Sequence, residues 1–86
     1  MPEISRFFGI SIKMFYGDHW PPHFHAWYGE YKAVVDIRAL VVIGGYVPPR
    51  VLGMVIEWAL QHQEELLDLW ERASNNQPLY RVPPLE

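Results

Sequence analysis

Hydrophobic side chains recur along this chain with two different periods, and the change between them falls at Pro48-Pro49. In "FFGISIKMFY" (residues 7–16) the period is two: Phe8, Ile10, Ile12, Met14 and Tyr16 share one face, and Gly9, Ser11, Lys13 and Phe15 the other. That alternation predicts a strand with one buried side. "GDHWPP" interrupts it, because neither proline can donate a backbone hydrogen bond and the residue before each is driven extended. "HFHAWYGEYKAVVDI" (residues 23–37) predicts a hairpin, two short strands flanking Gly29-Glu30. Glycine at the first position of a two-residue loop fits a type II′ turn, whose twist matches the strands it joins.

The register follows by counting outward from that turn. Tyr28 faces Tyr31, Trp27 faces Lys32, Ala26 faces Ala33, His25 faces Val34, Phe24 faces Val35 and His23 faces Asp36. One side then carries Phe24, Ala26, Tyr28, Tyr31, Ala33 and Val35, the expected core. The other carries His23, His25, Trp27, Lys32, Val34 and Asp36, expected to be partly wet. "LVVIGGYV" (residues 40–47) predicts a fourth strand, interrupted or ended by Gly44-Gly45.

From Pro49 the period becomes 3.6, and proline suits a helix start, where a missing N–H costs nothing. One long helix is predicted over about 49–74, ended by Asn75-Asn76 and Pro78. Arg50, Glu57, Gln61, Glu64, Glu65, Asp68, Glu71 and Arg72 occupy its polar arc. The apolar arc, with Trp58 and Trp70 as core and His62 at the core's edge, is wider than one small sheet needs. Either the helix is buried on two sides, or part of the arc meets another chain. The tail, residues 75–86, reads as extended and proline-rich, with Leu79, Tyr80, Val82 and Leu85 free to pack. The sum is a single α+β domain spanning 1–86: a three- or four-stranded antiparallel sheet, its strands within 7–47, packed by one long C-terminal helix.

With 86 residues only about 60% of the unfolded chain's surface can be buried, so a homodimer or a small protein partner is expected to share the load. The absence of cysteine excludes disulfides and thiolate metal sites. No apolar run approaches the roughly 20 residues that span a bilayer, and no signal-peptide pattern opens the chain, so a soluble cytoplasmic protein is expected. Net charge is −3, with five basic against four acidic side chains in residues 1–50 and two against six in residues 51–86. Phosphate binding depends on clustered Lys and Arg, so this balance argues against tight nucleic-acid binding by the chain alone.

The chemistry concentrates in "DHWPPHFH" (residues 18–25). His23 and His25 leave the same face of a strand, about 6.6 Å apart along the backbone. Two imidazoles so placed can ligate one divalent metal such as zinc, with a third ligand from elsewhere. Asp36, opposite His23, is the first candidate for that ligand or for an outer partner that orients the ring; His19 or Asp18 could swing in from the loop. The same four residues, His19, His23, His25 and Asp36, also suit a general acid–base site, in which one imidazole takes a proton and another returns it. A purely structural arrangement is the third option: His23 and Asp36 as a cross-strand ion pair. Trp20 in the loop and Trp27 beside Lys32 on the polar hairpin face are candidate anchors for a partner.

The combination "HWPPHFHA" and "YGEY", with "PPR", "EELLDLW" and a terminal "PPLE", resembles the small bacterial family named domain of unknown function 4160. The likeness covers essentially the whole chain. It implies no catalytic residue; it implies a protein partner encoded by a neighbouring gene, in a toxin–antitoxin-like pair. The expected function is therefore a protein-interaction module, with a small metal-dependent or acid–base hydrolase, acting on RNA, as the alternative.

Overall fold

The computed structural model describes residues 2–86. Five strands, β1 (Glu3–Phe7), β2 (Ile10–Lys13), β3 (His23–Tyr28), β4 (Tyr31–Asp36) and β5 (Val42–Tyr46), precede two helices, α1 (Pro49–Gln61) and α2 (Gln63–Ser74). The strands form one antiparallel meander in the order β1-β2-β3-β4-β5. The α+β architecture is as expected, but there are five strands rather than three or four, and two helices rather than one.

The extra strand arises because "FFGI" is a turn. Phe8 (φ 49°) and Gly9 (φ 78°) both lie in the left-handed region, as a type I′ hairpin loop requires. Phe8 and Tyr16, assigned above to the buried face, are instead 61% and 44% exposed, one in the turn and one beyond β2. Ile10, Ile12 and Met14 are fully buried as expected. The Gly29-Glu30 turn folds β3 on β4 in the register counted from the sequence, all six pairs included. Phe24, Ala26, Ala33 and Val35 face the core; Tyr31, next to the turn, stays in solvent. β5 runs through Gly44-Gly45 rather than ending there. Gly45 has φ +72°, and a Cβ on it would sit 2.1 Å from the Lys32 carbonyl oxygen, so β4 and β5 close up only because the side chain is missing.

The helical layer covers the face lined by Ile12, Phe24, Ala26 and Val35. Trp58, fully buried, packs against Phe7 and Phe24 at ring separations of 5.5 and 5.8 Å. The helix breaks at His62 (φ −132°, ψ 23°). Its ring lies against Trp58 and bonds Glu65, while the neighbouring Gln63 amide donates to the carbonyls of Ile37 and Arg38. The start of α2 is thus tied to the turn after β4. Asn76 (φ 55°) ends α2: the N–H groups of Gln77 and Asn76 return to the carbonyls of Arg72 and Ala73.

The tail explains the broad apolar arc, which is buried on two sides. The Val82 N–H donates to Ile4 O at 2.7 Å, tying the tail to β1, and Trp58 Nε1 donates to Pro83 O at 2.8 Å. Val82 and Leu85 are buried against the core. Leu60 and Leu67 remain exposed. No helix is long and apolar enough to cross a membrane among the described residues.

Candidate metal centre

The loop between β2 and β3 ends in Trp20-Pro21-Pro22, with a cis Trp20–Pro21 bond. It is pinned where the Ile37 N–H donates to Pro22 O at 3.0 Å. The loop folds back over the sheet face that carries His23 and His25 and delivers Asp18 to these two histidines of β3. Asp18 Oδ2 lies 2.8 Å from His23 Nε2 and 3.2 Å from His25 Nε2. One potential ligand atom from each of the three residues lies within 4.8 Å of the other two.

The rings are held on every side. His23 is almost wholly buried, 5.0 Å from the Trp70 ring of α2 and 5.2 Å from that of His25. The edge of His25 meets Phe15 at 4.6 Å. His23 Nδ1 is 2.7 Å from the carbonyl oxygen of Pro21. A carbonyl only accepts, so Nδ1 carries a proton and neutral His23 presents the lone pair of Nε2. That lone pair points at a carboxylate oxygen, another acceptor. The contact is favourable only with a second proton on His23 or with a cation bound between the two groups.

The second solution fits the residues present. A histidine ligand ordinarily donates its other N–H to a carbonyl or carboxylate, which fixes the tautomer and aims the free nitrogen. In a tetrahedral zinc site with bonds of about 2.0–2.1 Å, neighbouring ligand atoms are roughly 3.3 Å apart; Asp18 Oδ2 lies 2.8 and 3.2 Å from the two imidazole nitrogens. With no cation bound and His23 doubly protonated, burial works against ionisation of Asp18, but hydrogen bonds from His25 and His23, the charge on His23 and the His19 N–H outweigh it, holding the carboxyl below its usual 3.8. A ready carboxylate is what a cation needs. The centre opens into a cleft of about 260 Å³ whose wall includes Trp20, Val34 and Ile43. Concavities of similar or larger size near the helices contain no comparable cluster.

The structure therefore brings together His23, His25 and Asp18. Asp36 does sit opposite His23, but its Oδ1 accepts the N–H groups of Arg38 and Ala39 at 2.8 Å each, capping the turn after β4. It makes no ion pair with His23 among the described residues. His19 has a side chain 94% exposed, 3.5 Å from Asp18 Oδ1, at the rim rather than in the cluster. Trp20 is exposed beneath the Arg38 guanidinium, and Trp27 lies on the outer sheet face under Lys13 and Lys32. Counting across the hairpin favoured Asp36; only the path of the loop promotes Asp18. The orienting Pro21 carbonyl carries no side-chain signal, although a proline pair just before the first histidine marks the place.

A sequence model of the family described as Domain of unknown function (DUF4160) matches residues 9–71. The chain belongs to that family. No curated protein and no solved structure matches it. The DUF4160 match takes in the whole cluster and both helices as far as Glu71, and leaves β1 and the tail outside.

Proposed function

We propose that this chain is a small metal-dependent hydrolase whose centre is Asp18, His23 and His25. The observation that carries this reading is the Pro21 carbonyl on His23 Nδ1, which turns the free Nε2 toward the Asp18 carboxylate. Three protein ligands leave a coordination position open, as in catalytic rather than structural zinc sites. A zinc-class cation there would polarise an ester or phosphate oxygen and make bound water reactive near neutral pH. Phe15 and Trp70 hold the imidazoles in place and keep water off their flanks, and His19 stands at the rim where a solvent-exchanging imidazole can move protons.

The test is metal binding by chain stripped with a chelator. One equivalent of Zn²⁺ or Co²⁺ should bind and raise the melting temperature, and Co²⁺ should give visible bands. His23→Ala/His25→Ala and Asp18→Ala should lose both effects, while Asp36→Ala keeps them. Metal content and thermal stability indifferent to the histidine pair would sink the proposal.

A second reading, a protein-interaction module in a toxin–antitoxin-like pair, is favoured by a different observation. The tail covers the β1 edge, whereas β5 has no neighbour beyond it among the described residues and carries exposed Val41, Ile43 and Tyr46 nearby. A free edge with apolar side chains suits strand addition by a partner. Light scattering, alone and with the neighbouring gene's product, tests it; a monomer unchanged by that product removes it.

A further inference from the structure

We propose that the outer sheet face binds single-stranded RNA and leads it to the metal centre; the second half of this statement rests on the function proposed above. Charge is sorted by layer. Helices α1 and α2 carry Glu57, Glu64, Glu65, Asp68 and Glu71 against only Arg50 and Arg72. Of the four Lys and Arg side chains that make no ion pair among the described residues, three, Lys13, Lys32 and Arg38, lie on the sheet side and only Arg50 on a helix. The helices, with five acids against two bases, account for the chain's net charge of −3, and the rest of the chain is neutral.

Each of the three cations rests on a tryptophan. Lys13 Nζ and Lys32 Nζ lie 4.6 and 4.2 Å from the Trp27 ring centre, and the Arg38 guanidinium lies 4.9 Å from that of Trp20. The two indoles bracket the cluster. Trp27 follows His25 by two residues on the same strand face, bridged by Phe15, which is 4.6 Å from one ring and 6.4 Å from the other. Trp20 lines the cleft that holds Asp18, His23 and His25. A cation that moves from over the indole to a phosphate opens a stacking surface for the adjoining base, the pairing single-stranded polynucleotides use. Of the acids on this side, Asp18 is held by His23 and His25, Glu3 is occupied by Arg6 and Arg81, Asp36 by backbone N–H groups, and Glu30 stands at the hairpin tip.

RNA is favoured over DNA because it carries an internal nucleophile beside each phosphate, in addition to any water that a bound cation would activate. No Ser, Thr or Cys side chain lines the cleft to take its place. The 2′-oxygen forms a bond to the adjacent phosphorus as the bond to the 5′-oxygen breaks, and the proton lost by the first is regained by the second.

The test is fluorescence anisotropy of labelled twelve-residue oligouridylate and oligothymidylate with the full chain, with chelator and with Zn²⁺. Oligouridylate should bind, with log K falling against log[salt] at a slope of about −2, from −0.7 for each of three phosphate contacts. Trp27→Ala should weaken binding by roughly 5- to 150-fold, the effect of losing one stacked base. Lys13→Gln/Lys32→Gln should reduce the slope to about −0.7. No binding at low salt, binding of oligothymidylate alone, affinity unchanged in both variants, or equal displacement by polyglutamate (an acidic protein partner instead) would each overturn the proposal. Circular dichroism checks that the variants fold. Binding of oligouridylate that survives chelator in a chain taking up no metal would uphold the surface and remove the metal centre; metal uptake without RNA binding does the reverse.

Discussion

Trp58→Phe tests how the tail closes the core. Trp58 is fully buried, and its Nε1–H donates to the Pro83 carbonyl across 2.8 Å. Phenylalanine keeps the contacts to Phe7 and Phe24 but removes the donor and part of the ring. Leaving the carbonyl without its partner costs about 1–3 kcal/mol if it stays buried. The lost ring atoms, equivalent to one or two methylene groups, cost roughly 1–1.5 kcal/mol more at about 0.8 kcal/mol each. The expected loss is then about 2–4 kcal/mol, a large share of the roughly 5–15 kcal/mol typical of whole domains, and the melting temperature should fall by about 10 °C or more. Urea unfolding followed by circular dichroism measures it. Deleting residues 83–86 separates the two contributions: in that background the bond is already absent, so Trp58→Phe should cost about 1–3 kcal/mol less. Equal costs in both backgrounds, or a loss under about 0.5 kcal/mol in the full chain, would refute the idea that the Pro83 carbonyl anchors the tail through this indole.

Two further outcomes are expected. Gly45→Ala should destabilise by several kcal/mol, because φ +72° and a Cβ 2.1 Å from the Lys32 carbonyl force β5 off β4; Gly29→Ala, with φ +58° but open space around it, should cost about 1–2 kcal/mol from backbone strain alone, less than Gly45→Ala in the same unfolding assay. In acid, Glu3 governs the link between β1, β2 and the tail: the Ser11 hydroxyl bond, opposed by burial and aided by Arg6 and Arg81, lowers its pKa from 4.5 to about 2. A depressed carboxyl contributes stability that is fully present above pH 4.5 and is lost as pH falls toward about 2. Urea midpoints measured between pH 5 and 2 should therefore drop less steeply in Glu3→Gln than in the parent chain; parallel slopes would show the Glu3 contacts to be inert.

The middle of the chain was legible because its signals are local. Gly29 occupies the one position where a two-residue turn needs left-handed backbone, and from there a strand period of two fixes every partner between His23 and Asp36. The first hairpin escaped because Phe8-Gly9 lacks the Asn-Gly signature, and an alternating pattern reads smoothly through a two-residue turn. The helix break at His62 was likewise invisible: the 3.6 period continues across it, and the tie beside it, Gln63 bonded to the carbonyls of Ile37 and Arg38, joins residues 25–26 apart in the chain.

By itself, then, the sequence determined the layer architecture, the hairpin register and the outward face shared by two imidazoles, since each depends on periodicity or on one backbone position. The tertiary structure decided which carboxylate joins those imidazoles, where the tail lies and how charge divides between the layers. Those depend on chain segments far apart in sequence meeting in space: a loop folding back over β3 sets Asp18 above His23 and His25 while the turn after β4 keeps the Asp36 carboxylate for its own N–H groups.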